Sequence, residues 1–261
     1  MKRKQLKEID VPIPTEFQPL LNRATVFDSS CSPEARVWMI DRDGGYYLKR
    51  GARGSLEAEA RMTRYFHQKG LGTEVLSYLS GDYDWLLTAR VVGEDCTHAD
   101  YLADPRRLCD TIAERLRALH ETDFSDCPIA DRMSGYCATV EENYRTENYD
   151  KSAFPDSFGY ASAEEAIAVW RAGKASLTDR VLLHGDYCLP NIMLDRWRFS
   201  GFIDLGNGGV GDRHIDLFWG AWTLGFNLGT DAYRTRFLDA YGRDCLEEEK
   251  LRVIAAAEVF G

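Results

Sequence analysis

Strand-type patterns fill the first third of the 261-residue sequence, helical periodicity dominates the rest, and the character changes near residue 92. Together these predict an α+β protein of two lobes, a small β-rich one over residues 1–92 and a larger helical one over residues 93–261, with a cleft between them. Ala35 to Arg50 alternates on either side of the turn-forming Arg42-Asp43-Gly44-Gly45 and reads as a β-hairpin with Lys49 on its second strand. Residues 55–68 are rich in helix formers, with Ser55 as an expected cap and Leu56, Ala60, Thr63 and Phe66 on one face. Strands are expected at 74–80 and 84–92. Beyond Gly93, Asp104-Pro105 supplies a cap and a first turn, and Leu108, Ile112, Leu116 and Leu119 recur at helical spacing up to His120. Further helices are expected near 134–147, 162–173, 213–227, 231–241 and 247–260, with a β-like stretch from Val181 to Asp204.

Bulk composition narrows the partners. Acidic residues outnumber basic ones 42 to 32, and the net charge of −10 disfavours nucleic acid or an anionic membrane and suits a cationic ligand, although such a surplus also serves solubility alone. The seven cysteines are odd in number and form no Cys-x-x-Cys pair, so neither a zinc site nor a complete disulfide framework is expected. The basic N-terminus has no apolar run behind it, and no stretch reaches the roughly 18 apolar residues of a membrane span, so a cytoplasmic location is expected.

The chemistry concentrates in His184-Gly185-Asp186-Tyr187-Cys188-Leu189-Pro190-Asn191 and in Gly201-Phe202-Ile203-Asp204-Leu205-Gly206. Asp186 and Asn191 share a loop between apolar β-like runs, and Asp204 ends a further apolar run thirteen residues after Asn191. Each residue alone reads more readily as a turn former. Their joint spacing is what phosphoryl transfer needs: a carboxylate to orient the attacking hydroxyl, and an amide oxygen and a second carboxylate to hold a phosphate-bridging magnesium. His184 reads as a hydrogen-bonded scaffold residue.

The strings HGDYCLPNIMLD, FSGFIDLG and GVGDRHIDL resemble those of the aminoglycoside 3'-phosphotransferase family, of the protein-kinase-like fold, and a weaker likeness extends over nearly the whole chain. The resemblance implies an enzyme that uses ATP (or GTP) and Mg2+ to phosphorylate a sugar hydroxyl of an antibiotic. It implies Asp186 as the catalytic carboxylate, Asn191 and Asp204 as magnesium ligands, and Asp216 as a buried brace of the catalytic loop. Lys49 resembles the strand lysine that contacts the α- and β-phosphates, paired with Glu59 or, failing that, Glu57. Tyr47 is then expected to stack on adenine, backbone groups of Ala89 and Val91 to hold its edge, and Ser32 to cap the phosphates through its backbone N–H. Glu258 and, less directly, Asp156 are the acidic residues expected to receive a cationic acceptor.

Some features depart from that pattern. Leu189, Asn207 and Gly261 depart from the pattern that the resemblance implies, so a narrowed or shifted acceptor specificity is expected. Gly206 to Gly211 satisfies G-x-G-x-x-G, but too little chain follows for a dinucleotide fold, and these glycines are expected to form a flexible segment beside the metal site. A kinase of a macrolide, choline, a sugar or an amino alcohol remains a competing reading, as does a nucleotide-binding pseudokinase, whose usual mark would be a gap in the set Lys49, Glu59, Asp186, Asn191 and Asp204.

Overall fold

The computed structural model describes residues 4–31, 35–154 and 159–261. In chain order the strands are β1 (Lys4–Leu6), β2 (Thr25–Asp28), β3 (Arg36–Asp41), β4 (Tyr46–Ala52), β5 (Val75–Ser80), β6 (Tyr83–Ala89), β7 (Glu94–Asp95), β8 (Val181–Leu183), β9 (Ile192–Asp195), β10 (Arg198–Phe202) and β11 (Gly209–Gly211). The α-helices are α1 (Gln18–Leu21), α2 (Glu57–Gln68), α3 (Ala99–Leu102), α4 (Pro105–His120), α5 (Arg132–Thr146), α6 (Ala163–Gly173), α7 (His214–Leu228), α8 (Arg234–Tyr241) and α9 (Glu248–Ala257). The chain forms two compact units, Met1–His98 with Pro190–Gly206, and Ala99–Leu189 with Asn207–Gly261.

This division differs from the expected break at 92/93 in two ways. The boundary falls after β7, and the hairpin of β9 and β10 belongs to the first unit. Backbone pairing is the reason: Glu94 faces Leu194 in an antiparallel β7–β9 ladder, β9 pairs with β10, and Gly72 bridges Phe202. Gly93 makes the approach feasible, since at its φ of +96° a Cβ would sit 2.2 Å from the Leu194 carbonyl oxygen.

The first unit is built on an antiparallel sheet in the order β1-β2-β3-β4-β6-β5. Alternation along the strands separates two apolar faces. Trp38, Ile40, Leu48, Trp85 and Leu87 pack with Phe17 on one, while Leu86 meets Leu56 and Ala60 at the start of α2 on the other. Ser55 does not cap α2 as expected; its hydroxyl donates to the Ala52 carbonyl at 2.8 Å. Buried Asp84 holds the helix start instead, accepting from the Leu56 N–H at 3.0 Å, from Tyr78 at 2.9 Å and from Ser80 at 2.7 Å. Strand β6 ends at Ala89 rather than at 92.

The second unit is helical apart from the antiparallel pair β8–β11. Its helices begin where side chains cap them: Asp104 accepts from the Arg107 N–H, Asp131 from that of Ser134, and Ser162 from that of Glu165. Trp170, Ile167, Val140, Leu183, Ile254 and Phe260 form its core. The glycine-rich stretch is corrected here: Gly209–Gly211 is a buried strand against β8, not a flexible segment. Because that pairing is antiparallel, it also lacks the parallel strands of a dinucleotide unit. Among the described residues no helix is long and apolar enough to cross a membrane.

Candidate active site

The thirteen-residue interval between Asn191 and Asp204 is the length of one β-hairpin. β9 and β10 pair so that Ile192 faces Phe202, and the Ile203 N–H donates to the Asn191 carbonyl at 3.1 Å. Two residues distant in sequence thus leave the hairpin side by side. Asp204 sits there with φ of +58°, a left-handed backbone that aspartate tolerates better than most residues but still at a cost.

Lys49 reaches this point from β4. Its Nζ lies 2.7 Å from Glu59 Oε2 and 2.9 Å from Asp204 Oδ1. Burial acts to lower the Lys49 pKa, but the two carboxylates outweigh it and hold the ammonium above its ordinary value. Burial pushes the Glu59 carboxyl up, and the Lys49 charge opposes that. The Asp204 side chain is 51% exposed, so its carboxylate stays accessible on the side that Lys49 does not cover. A carboxylate and an amide brought together by one hairpin end form a hard-oxygen donor set, which fits magnesium and not a thiol-seeking metal. Glu57, the fallback partner of Lys49, is exposed in the first turn of α2.

In the second unit, the β8–β11 ladder sets Leu183 opposite Gly209 and brings the loop after β8 against Asn207. Gly185, at φ +84°, allows this contact, because a Cβ there would lie 1.9 Å from the Asn207 carbonyl oxygen. Asp216, fully buried in the first turn of α7, accepts from the backbone N–H groups of His184 at 2.8 Å and Gly185 at 2.7 Å. His120 Nε2 stands 3.1 Å from the same carboxylate, and its Nδ1 is 2.8 Å from the Tyr241 hydroxyl. Burial lowers the His120 pKa, so the neutral ring donates from Nε2 to Asp216 and accepts from Tyr241 at Nδ1. His184 is buried, and its Nδ1 accepts from the Asp186 N–H at 3.3 Å, as a scaffold residue would. Tyr187 ties the loop to α4 by donating to the Ile112 carbonyl at 2.7 Å.

Asp186 opens onto a cavity of about 360 Å³ lined also by Arg132, Tyr136, Asn207, Trp219 and Glu258. Tyr136 donates to Glu258 Oε1 at 2.6 Å, and Arg132 is clamped by the Asn207 carbonyl and side-chain oxygens, both at 2.9 Å. Burial, together with the Asp186 charge, pushes the Glu258 pKa up to about 7 against the opposing pull of Tyr136, Trp219 and Arg132.

The expected residues therefore divide by unit. Lys49, Glu59, Tyr47, Ala89, Val91, Asn191 and Asp204 belong to the first, Asp186 and Glu258 to the second. Tyr47 is half-buried on β4 between Met39 and Thr88. The Ala89 N–H is already given to the Glu74 carbonyl, and the Ala89 carbonyl accepts from Thr73, which leaves that carbonyl one further lone pair. Ser32 and Asp156 lie outside the described residues. Arg132, Tyr136 and Trp219 were not expected in the site; the Asp131-x-x-Ser134 cap signals the start of α5 but not the face it presents. A further group, Asp179, Asp212 and His214, has metal-like spacing, but Arg213 at 2.7 Å neutralises Asp179, and both His214 nitrogens are engaged, by Asp212 and by the Glu247 N–H.

A sequence model of the phosphotransferase enzyme family matches residues 24–254. A Lactococcus lactis protein named as a probable aminoglycoside 3'-phosphotransferase is 50% identical over 260 residues, covering 98% of this chain and 99% of that protein. An aminoglycoside 3'-phosphotransferase of Niallia circulans is 31% identical over 180 residues, 69% of this chain and 68% of its own. The crystal structure of an aminoglycoside 3'-phosphotransferase of type VIII shares the fold, with a TM-score of 0.77 at 24% identity over 89% of this chain and 92% of that one. An aminoglycoside phosphotransferase from Streptomyces rimosus, solved with ADP and streptomycin, has a TM-score of 0.72 at 25% identity over 86% of this chain and 90% of that one. With the lysine–carboxylate cluster and the braced Asp186 loop in place, the chain belongs to the phosphotransferase enzyme family.

Proposed function

We propose that this protein transfers the γ-phosphoryl group of ATP to a hydroxyl of an aminoglycoside, at the 3' position, with magnesium as cofactor, and so inactivates the antibiotic in the cytoplasm. The observation that carries this reading is that Asp186 and Glu258, 72 positions apart in sequence, line one cavity. A candidate base thus shares its pocket with a second carboxylate able to receive an amine. The names of the relatives above, a probable aminoglycoside 3'-phosphotransferase and an aminoglycoside 3'-phosphotransferase, support an aminoglycoside as the acceptor.

In this mechanism the first unit holds the nucleotide and the second the acceptor. Lys49, oriented by Glu59, engages the α- and β-phosphates, Tyr47 stacks on adenine, and backbone groups of Ala89 and Val91 meet its edge. Asn191 and Asp204 would hold magnesium, which when bound neutralises charge on the phosphate oxygens. Asp186 accepts the proton of the acceptor hydroxyl as that oxygen bonds to the γ-phosphorus; the bond from that phosphorus to the bridging oxygen breaks and ADP leaves. Asp216 acts through the loop: by accepting the His184 and Gly185 N–H groups it fixes the backbone that carries Asp186.

Incubation with ATP, magnesium and a panel of aminoglycosides, macrolides and small alcohols, followed by mass and NMR analysis of the products, tests the proposal. A 3'-phosphorylated aminoglycoside is the expected product. Phosphorylation of only macrolides or neutral alcohols would remove the acceptor assignment.

A further inference from the structure

Among the described residues that line the cavity of Asp186 and Glu258, Arg132 is the only cation, and the mechanism above leaves it unused. Neutral oxygens hold its guanidinium: Nε donates to the Asn207 carbonyl and Nη2 to the Asn207 side-chain oxygen, both at 2.9 Å. Nη1 donates to no group among the described residues. No carboxylate among them pairs with the guanidinium; Glu258 attracts it only from beyond hydrogen-bond range, with Oε1 already taken by Tyr136. The half-buried Arg213 and Arg117 instead hold Asp179 and Glu121, at 2.7 and 2.6 Å. Burial works against the Arg132 charge and lowers its pKa from the ordinary arginine value, yet a guanidinium keeps its proton at any working pH. A half-buried permanent cation without a counter-charge calls for an anion.

Backbone packing fixes where that anion would lie. The Asn207 carbonyl that accepts from Arg132 also presses on Gly185, the neighbour of Asp186, since a Cβ on Gly185 would lie 1.9 Å from it. Behind the arginine, Gly209 leaves room for the stem, because a Cβ there would sit 3.1 Å from the Arg132 Cβ. One carbonyl oxygen thus sets the guanidinium against the loop that carries the base. Charge then selects the occupant. A polycationic acceptor gains nothing from a guanidinium in its own cavity, and an amine placed beside it would be repelled. The anion that has to appear there is the phosphoryl group, because the hydroxyl oxygen that gives its proton to Asp186 is the atom that becomes the phosphate ester. We infer that Arg132 is a further catalytic residue, whose guanidinium donates to the oxygens of the phosphoryl group as that group bonds to the acceptor hydroxyl; the inference rests on the acceptor reading above. The planar fork of a guanidinium suits phosphate oxygens, and donors held in place where negative charge collects favour the transfer. The ester that results carries about −1.5 to −2 charges near neutral pH, so the same contact holds the product until it leaves.

Arg132→Met and Arg132→Lys, with kanamycin A and its 3'-phosphate ester as ligands, test the assignment. Arg132→Met should lower kcat about 10²- to 10³-fold, with the kanamycin KM unchanged or lower because a repulsive charge has gone. By calorimetry without nucleotide, the same variant should bind the phosphate ester roughly 10- to 100-fold more weakly than the wild type does, and unmodified kanamycin no more weakly. Arg132→Lys keeps the charge without the fork and should recover part of both losses. Unchanged affinity for the ester, an equal loss of affinity for both ligands, or a native kcat in Arg132→Met would reduce Arg132 to a clasp for Asn207 and overturn the inference, while turnover of kanamycin by the wild type keeps the acceptor reading. Should Arg132→Met not fold, Arg132→Lys decides: selective weakening of the ester supports the contact, and unchanged affinities with native kcat overturn it. A wild type that phosphorylates no aminoglycoside removes the acceptor reading and the inference with it.

Discussion

Replacing Asp216 by alanine should destabilise the second unit and disable the loop that carries Asp186. The carboxylate is fully buried and accepts from two backbone N–H groups, at 2.8 and 2.7 Å, and from His120 Nε2 at 3.1 Å. Hydrogen bonds to a charged group are worth about 1.5–3 kcal/mol each, and buried donors left without an acceptor add their desolvation cost. These terms overlap, so a loss of about 3–5 kcal/mol is expected, comparable to breaking a buried ion pair. For a unit of this size, that corresponds to a fall in Tm of roughly 6–20 °C. Asp216→Asn keeps the volume but points an NH2 group at one of the donors, so it should fall between alanine and the wild type. Thermal melts followed by near-UV circular dichroism, with turnover measured below the transition, provide the assay. An alanine variant that melts within about 2 °C of the wild type would refute the brace.

Asp186→Ala should lower kcat by about 10²- to 10⁴-fold while leaving ATP binding by calorimetry near the wild-type value, and a variant with native kcat would remove Asp186 as the base. Lys49→Ala should raise the KM for ATP, Glu59→Ala should raise it less, and Glu57→Ala should be silent because that side chain is exposed; a defect at Glu57 alone would contradict the observed 2.7 Å pairing of Lys49 with Glu59. The Glu258 carboxyl, with its pKa pushed up to about 7, is largely protonated below that pH, so affinity for a cationic acceptor should strengthen as pH rises through 7. Glu258→Gln should flatten that limb of the KM profile, and identical profiles would exclude the residue from acceptor binding. The sign for stability is opposite: a folded-state pKa above the unfolded one favours the fold below about 4.3 and loses that contribution as pH rises toward 7, so Glu258→Gln should resist unfolding at pH 8 better than the wild type.

The parts of the site legible in the sequence are those closed by local structure. Asn191 and Asp204 are separated by one hairpin, so their spacing carries their geometry within the first unit, and the strand position of Lys49 follows from a hairpin whose turn residues are explicit. Helices α4 to α7 and α9 were legible for the same reason, because apolar periodicity, joined at α4 to α6 by capping residues, acts within a few turns. Ser55 misled because a serine before a helix is only an offer of a cap, and Asp84, 28 positions downstream of Leu56, made the better one.

Alone, the sequence determined which residue types could carry phosphoryl transfer and the order in which they occur. Tertiary structure decided which of them meet. It set Glu59, the partner the resemblance implied, 2.7 Å from Lys49 and left Glu57 exposed, on a helix whose start is held by a buried carboxylate from another strand. It assigned residues 190–206 to the first unit through β7–β9 pairing, and turned a nucleotide-like glycine motif into a buried antiparallel strand. It also gathered Arg132, Tyr136, Trp219 and Glu258 around Asp186 from α5, α7 and the end of α9. Such encounters depend on how amphipathic helices pack into one core, and periodicity says which face of a helix is buried without saying which partner buries it.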